Sequence, residues 1–182
     1  IVEFEISDIQ DRAGNTATDL ETATGGNVTF DPDVPTLSVV SISSNNSTSD
    51  ERAKVGNTVT IHFTAEDNEP LQTPVVTIDG QAADEQQNGG NYKWTATKVM
   101  DASDTEGDIE FNISFKDLAG NSGVTVDEDD ITDETTIEFD RTVPVLNDPT
   151  IVSSNATNTL ATTGDVITIT IVAAEEPLYS IK

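Results

Sequence analysis

Residues 115–121 read FKDLAGN, and residues 9–15 read IQDRAGN. In each stretch an apolar and a polar residue precede an aspartate, and Ala-Gly-Asn closes the motif. Two copies of one loop motif in a chain of 182 residues indicate an internal repeat. The repeat is therefore the first property of the fold that the sequence predicts.

Further matching residues occur in the same order along the chain, at separations between 106 and 110 residues. They are Gly14 with Gly120, Phe30-Asp31 with Phe139-Asp140, Pro35 with Pro144, Ser44-Asn45 with Ser154-Asn155, Gly56-Asn57 with Gly164-Asp165, and Glu69-Pro70-Leu71 with Glu176-Pro177-Leu178. Loop insertions produce small drifts of this kind. We therefore predict a tandem duplication with a period of about 108 residues.

This period divides the chain into three parts. Residues 1–33 are the C-terminal part of one repeat, residues 34–141 are a complete repeat, and residues 142–182 are the N-terminal part of the next. Both ends fall inside repeats, so we expect the chain to be an excerpt of a longer protein. The two end parts do not rebuild a repeat in trans, because together they lack the counterpart of about residues 75–107.

Alternating apolar and polar residues mark seven short strands in the complete repeat. We predict strand A at 37–42, B at 58–65, C at 75–80, a weak D at 81–87, E at 91–99, F at 109–115 and G at 135–140. No window of helical length has an apolar period of 3.6 residues. The predicted fold is all-β, with tandem seven-stranded immunoglobulin-like β-sandwich repeats. Since the chain has no cysteine, it lacks the disulfide of antibody-type domains.

The chain carries 34 acidic and 8 basic residues, which gives a net charge of −26. This charge repels phosphate backbones, so nucleic acid is excluded as a partner, and it attracts cations. Without disulfides a secreted protein of this size needs another cross-link, and Ca²⁺ is the predicted one. No apolar run reaches the length that spans a bilayer, so we expect no membrane insertion in this segment.

Three stretches carry a resemblance to a known group: VGNTVTIHFTAE at 55–66, KDLAGN at 116–121 and IEFDRTVP at 137–144. They resemble the immunoglobulin-like repeats of giant secreted adhesins and surface-layer proteins of bacteria and archaea, and the resemblance covers the whole chain. The acidity, the absence of cysteine and the many glycosylation sequons are most similar to surface-layer proteins of marine archaea. The resemblance implies an extracellular position in a cell wall or surface layer, contacts with neighbouring repeats, and lateral self-assembly.

In such a sandwich the domain entry, the B–C loop and the F–G loop share one pole. Their candidate ligands are Asp31, Asp33, Glu66, Asp67, Glu69, Asp117 and Asn121. Carboxylates that arrive from three segments repel each other unless a hard cation with six to eight oxygen ligands neutralises them. We therefore predict a Ca²⁺ site that stiffens the joint with the preceding repeat. The alternative is a set of solvated acids that build turns.

The opposite pole is predicted to hold a second site of this kind. Its acids lie in the A–B and E–F loops, at Asp50, Glu51, Asp101, Asp104, Glu106 and Asp108, and they are joined by Asp140, Glu175 and Glu176. Within the F–G loop, Gly120 and Asn121 tolerate a positive φ and are expected mainly to form the turn, which leaves Asp117 as the metal contact. The acidic run at 127–130 is predicted to be a flexible, cation-attracting surface.

Sequons for N-glycosylation occur at Asn27, Asn45, Asn46, Asn112 and Asn155. The alignment makes Asn45 and Asn155 equivalent on exposed A–B loops, so these two are the favoured glycan sites. Asn112 is expected to face outward on strand F.

Two functions from different classes fit these features, and neither is enzymatic. His62 is the only histidine and is expected to face outward, so neither a zinc site nor a catalytic triad is indicated. The first function is structural: Ca²⁺-stiffened repeats that form a surface layer or a stalk. The second is a carbohydrate- or protein-binding adhesin module, which requires an exposed aromatic platform at Tyr92 and Trp94. Packing of both rings in the core is the alternative for that pair.

Overall fold

A computed structural model describes residues 3–21 and 28–174. The chain divides into two compact units, Ile1–Phe139 and Asp140–Lys182. The described residues contain strands, turns and two short 3₁₀ segments, at Glu66–Asn68 and Glu128–Asp130, and no α-helix. The predicted all-β class is confirmed.

The first unit contains two four-stranded antiparallel sheets and one small mixed sheet. Its strands are β1 (Leu37–Ser44), β2 (Arg52–Ala53), β3 (Thr58–Ala65), β4 (Val75–Ile78), β5 (Gln81–Ala82), β6 (Asp84–Gln87), β7 (Lys93–Val99), β8 (Gly107–Asp108), β9 (Phe111–Ser114), β10 (Val126–Asp127) and β11 (Glu138–Phe139). The first sheet has the order β1-β3-β7-β6, and the second has the order β10-β9-β4-β5. In the small sheet, β11 lies between β2, to which it is parallel, and β8.

One hydrophobic core lies between the two larger sheets, an arrangement consistent with a β-sandwich. Alternation along each strand supplies the inward residues, because successive side chains of a strand point to opposite faces. Ile61 on β3, Val76 on β4 and Ile113 on β9 are fully buried. Burial of each such side chain contributes roughly 1.5–3 kcal/mol relative to exposure. The apolar residues that alternate along the predicted strands B, F and G are all expected to face inward, and all are buried: Val59, Ile61, Phe63, Ala65, Ile109, Phe111, Ile113, Phe115, Ile137 and Phe139.

The predicted strand positions differ in how well they agree with the structure. Predicted strand B coincides with β3, and the predicted strands A and E overlap β1 and β7. Predicted strand F is regular only over β9, although its flanking apolar residues still face the core. Predicted strand G shrinks to β11, and the edge beside β9 is taken by β10 instead. A local apolar pattern cannot reveal this exchange, because it depends on pairing between segments that are far apart in the sequence.

The acidic run after β10 is an ordered turn, whereas the sequence predicted a flexible surface. Asp127 caps the 3₁₀ segment Glu128–Asp130: its carboxylate accepts from the backbone N–H of Asp129, and its own N–H donates to the carboxylate of Asp130. Glu128 accepts from the backbone N–H of Phe111 at 3.3 Å. Reciprocal capping and this bond to β9 give the run a defined conformation.

The two copies of the opening motif have the same hydrogen bonds. In both, the carboxylate of the aspartate accepts from the backbone N–H and the side-chain Nδ2 of the asparagine four residues later: Asp11 from Asn15, and Asp117 from Asn121. The bridge between Gln10 and Thr16 has its counterpart between Lys116 and Ser122. Asp8, with a φ of 56°, is an extra residue just before the first copy.

The second unit contains one antiparallel pair, β12 (Thr150–Ser153) with β13 (Ile167–Thr170). Its register matches that of β1 with β3: Ser153 lies opposite Ile167, as Ser44 lies opposite Val59. The loops also match, since the N–H of Asn155 donates to the hydroxyl of Ser153 as the N–H of Asn46 does to that of Ser44. Asn155 therefore corresponds to Asn46, and its alignment with Asn45 was wrong by one residue.

The predicted boundaries at 33/34 and 141/142 stay predictions. The described residues include no helix with the length and apolarity needed to cross a membrane.

Candidate metal site

Three carboxylates from distant parts of the sequence meet at one end of the first unit. Asp31, Glu69 and Asp117 each offer one oxygen, and these oxygens all lie within 4.8 Å of one another. Two ligands on opposite sides of one Ca²⁺ are separated by roughly 5 Å, twice the length of a Ca–O bond. The spacing of the three carboxylates therefore fits a single hard cation. We call this group the acidic triad.

Hydrogen bonds hold the segments of the acidic triad together. The side chain of Asn121 donates to the backbone carbonyl of Asp31 at 3.1 Å, which fixes the entering segment to the loop after β9. An isolated bridge pairs Leu71 with Asp117, and so joins the loop after β3 to the same place. The carbonyl of Thr36 also accepts from the N–H of Glu66 at 2.9 Å.

Asp117 is the buried member of the acidic triad, with only 1% of its surface exposed. Desolvation favours the neutral acid, but the side chain and N–H of Asn121 and the N–H of Gly120 donate to the carboxylate and outweigh it, so the pKa of Asp117 lies below its ordinary value. The carboxylate is thus kept ionised at neutral pH. Asp11 in the other copy has a lowered pKa, mainly through the side chain of Asn15, but it is exposed to solvent.

The remaining predicted ligands of this pole surround the acidic triad. Asp33, Glu66 and Asp67 line the same cleft, which has a volume of about 270 Å³. In the described part of the chain no lysine or arginine lines this cleft. Glu66 accepts from the hydroxyl of Thr36 at 2.7 Å, and Asp67 has a φ of 51°. Asn121 acts through its amide as the clamp between the loop and Asp31.

The residues predicted for the opposite pole do not form a comparable group within the described residues. Asp140 is exposed, and its carboxylate accepts from the N–H of Thr142 at 2.9 Å, as that of Asp31 does from Asp33. Glu175 and Glu176 lie outside the described residues.

Asp104 lies in the loop between β7 and β8, as predicted for the E–F loop, but it is not a solvated acid. It is buried, and its carboxylate forms an ion pair with the ammonium of Lys98, which is also buried. The same carboxylate accepts from Nε2 of Gln81 at 2.9 Å and from the N–H of Asp101 at 2.7 Å. Sequence reasoning missed this network, although Lys98 continues the inward alternation of Trp94 and Ala96 on β7.

The asparagines of the described sequons differ in their solvent exposure and in the hydrogen bonds of their side-chain amides. Asn112 is exposed on β9, as predicted. Asn45 is exposed, and its Oδ1 accepts from the N–H of Thr58. Asn46 is half-buried.

In the second unit, Nδ2 of Asn155 donates to the carboxylate of Asp165 at 2.9 Å. This bond is the main reason that the pKa of Asp165 is lowered. Asn27 lies outside the described residues.

The aromatic pair proposed as a sugar platform does not form one. Trp94 is only 7% exposed, and its indole N–H donates to the carbonyl of Asn91 at 3.1 Å. Tyr92 is half-buried and packs against the core. His62 is exposed on β3, as expected.

No protein-family model, no curated protein and no solved structure matches this chain.

Proposed function

We propose that the chain is a structural segment of a cell-surface protein. In this proposal tandem immunoglobulin-like repeats form a surface layer or an extended stalk, and Ca²⁺ bound at the acidic triad stiffens the joint at the entry of the complete repeat. The repeats contact their neighbours in the same protein and assemble laterally, outside the cell. The dense negative charge of the surface attracts cations.

The strand order supports the immunoglobulin-like part of this proposal. The sheet β1-β3-β7-β6 corresponds to the order A-B-E-D, and β9 beside β4 corresponds to F beside C. The recurrence of hydrogen bonds around Asp11 and Asp117 supports the repeat. The proposed function uses only strands, turns and cation-binding carboxylates, and it requires no catalytic residues.

The convergence of the acidic triad is the observation that carries the Ca²⁺ part. Asp31 comes from the segment that enters the repeat, whereas Glu69 and Asp117 belong to its loops. A cation held by all three fixes the entering segment relative to the sandwich. It also offsets the repulsion between carboxylates, one of which is buried. Six to eight oxygens are needed in all, and backbone carbonyls, water and the neighbouring acids of the cleft would supply the rest.

Calcium titration tests this site directly. We expect Ca²⁺ to raise the melting temperature of the chain by several degrees, because a ligand that binds only the folded state stabilises it, and a chelator to reverse the effect. Glu69→Gln keeps the shape of the side chain and removes one charge of the acidic triad, so it should weaken Ca²⁺ binding measured by calorimetry.

The matched pair for the loop motif is Asp117→Asn and Asp11→Asn. Both changes disturb the same hydrogen bonds, but only Asp117 belongs to the acidic triad. Asp117→Asn should weaken Ca²⁺ binding, and Asp11→Asn should not. Equal losses of Ca²⁺ affinity in the two variants would contradict the site. A melting temperature that does not change when Ca²⁺ is added would also contradict it.

Location and assembly need a separate measurement. Antibodies against residues 34–139 should label intact cells that produce the protein, and electron microscopy of their envelope should show a regular lattice or long fibres. Label that appears only after the cells are opened would contradict a surface protein. The second function, an adhesin module with an aromatic platform, is disfavoured by the burial of Trp94.

A further inference from the structure

The outer surface of the first sheet is rich in hydroxyl groups. Alternation turns every second residue of β1, β3, β7 and β6 away from the core, and the register aligns these residues in rows across the four strands. One row contains Ser43, Thr60, Thr97 and Asp84. We call the outward side chains of these four strands the hydroxyl face, since most of them belong to serine or threonine.

Charge is balanced on the hydroxyl face, although the chain as a whole has a net charge of −26 at pH 7. Of the outward residues on these four described strands, Asp84 and Lys93 alone are charged, and Lys93 lies two rows from the row of Asp84. Within the described residues neither of them forms an ion pair. Serine and threonine hydroxyls both donate and accept hydrogen bonds. A second copy of the chain can therefore bind this face without meeting net negative charge.

We propose that the hydroxyl face binds the hydroxyl face of a second copy of the chain. The contact is isologous, and its two-fold axis runs parallel to the sheet and perpendicular to the strands, through the row of His62 and Thr95. This axis sets Lys93 of each copy above the row of Asp84 of the other. Sheets that pack face to face lie about 10 Å apart and neighbouring strands about 4.8 Å apart, so the long lysine side chain reaches that carboxylate. Two pairs of opposite charge then fix the register of the contact.

The hydroxyl face has the area of a weak but specific contact. Four strands at a spacing of about 4.8 Å, each with roughly seven residues of about 3.3 Å, cover roughly 440 Å² per copy, or roughly 900 Å² in total. Specific interfaces below about 1,200 Å² belong to transient complexes. A single contact of this kind is therefore weak in solution, whereas many of them act together in a lattice or a fibre.

This inference rests on the lateral assembly in the proposed function and specifies the face that forms it. It is independent of the acidic triad, whose ligands lie outside the four strands. Association is therefore measured with a chelator present, at about 0.15 M sodium chloride, which shortens the repulsion between copies to a range of about 8 Å. Failure of this contact would leave the Ca²⁺ titration unchanged, and failure of that titration would leave the contact unchanged.

Sedimentation equilibrium of the full chain over a range of concentrations tests the contact. The chain is produced without glycans, because the sequon at Asn45 adjoins the end of β1. Its average mass should rise from that of one copy toward that of two. Lys93→Asp and Asp84→Lys should each weaken association about tenfold, because each places like charges opposite one another twice in the complex. The second variant is diagnostic: it reduces the net negative charge of the chain, so general repulsion alone would predict stronger association.

An equal mixture of these two variants should regain association, because both pairs in the mixed complex again join opposite charges, with their signs exchanged. The matched controls are Lys54→Asp and Glu110→Lys, which make the same charge changes at exposed positions outside the hydroxyl face and should leave association nearly unchanged. Melting temperatures check that each variant is folded. The proposal would be overturned by a chain that stays monomeric at every concentration, by variants that associate like the original chain, by controls that weaken association equally, or by a mixture that associates no better than its components.

Discussion

At the scale of single residues, two ion pairs of the first unit lie in opposite environments. Lys98 and Asp104 are buried, whereas Arg52 and Glu138 are each about half exposed and lie 2.9 Å apart. Solvent and salt weaken the exposed pair, which leaves it a contribution of roughly 0–1 kcal/mol. A buried pair contributes little net free energy, but removal of one partner leaves an uncompensated charge.

Lys98→Met is therefore expected to be strongly destabilising. It leaves the carboxylate of Asp104 buried without its cation, at a cost of about 3–5 kcal/mol in the free energy of unfolding. The matched change Arg52→Met should cost roughly 0–1 kcal/mol. Denaturant unfolding of both variants measures the difference.

The double variant Lys98→Met with Asp104→Asn gives the check on the cause, because asparagine removes the charge and keeps an acceptor oxygen for Gln81 or the N–H of Asp101. If the unpaired charge is responsible, removing it too should restore most of the lost stability. A double variant that is no more stable than Lys98→Met alone would mean that packing around Lys98, rather than charge, accounts for the loss.

At the scale of elements, the corner after β9 depends on Gly123. Its φ lies outside the left-handed region, so the reason for a glycine here is space and not backbone conformation. A Cβ at Gly123 would lie 2.3 Å from the ring of Phe115 and 2.8 Å from the carbonyl oxygen of Pro35. Phe115 and Pro35 are both buried, so neither can move away easily. The absence of a side chain at Gly123 thus allows the entering segment to lie against the corner that holds Asp117.

Gly123→Ala should therefore destabilise the first unit by roughly 1–3 kcal/mol, the usual cost of an overpacked core position. If Ca²⁺ binds at the acidic triad, the same change should weaken binding, because it displaces the segment of Asp31. Denaturant unfolding and calcium calorimetry measure the two effects. Ser122→Ala, at the exposed neighbouring position, is the control and should change neither quantity appreciably. An equal loss in both variants would contradict the steric cause.

At the scale of the whole molecule, charge of one sign dominates. The net charge of −26 is spread over a chain in which most acids are exposed, and self-repulsion of this kind destabilises a compact state. Monovalent salt shortens the range of that repulsion to about 10 Å at 0.1 M. Stability should therefore depend on salt even without any specific site.

Sodium chloride is expected to raise the melting temperature as its concentration increases from low to physiological values. Calcium chloride at the same ionic strength should raise the melting temperature further if the acidic triad binds Ca²⁺. In the Glu69→Gln chain the difference in melting temperature between the two salts should be smaller. Thermal unfolding in the two salts separates screening from binding. A melting temperature that falls with added sodium chloride would contradict the role of self-repulsion.

The sequence by itself determined the longer strands and the inward faces of their residues. Alternation is a local property, so β3 and the buried row through Phe111 and Ile113 could be predicted residue by residue. The turn at Gly120-Asn121 was equally local, and Gly120 has the expected positive φ of 101°. The candidate ligands Asp31, Glu69 and Asp117 followed from this strand order and from the rule that alternate loops share a pole.

Only the tertiary structure decided which acids meet. It selected three carboxylates from seven candidate ligands at that pole, and it removed Asp104 from the solvated acids by pairing it with Lys98. It also assigned the edge beside β9 to β10, and it moved the equivalent of Asn155 to Asn46. Each of these outcomes depends on pairing between segments far apart in sequence, whereas a period of two residues fixes only the face that each side chain takes and not the segment that it meets.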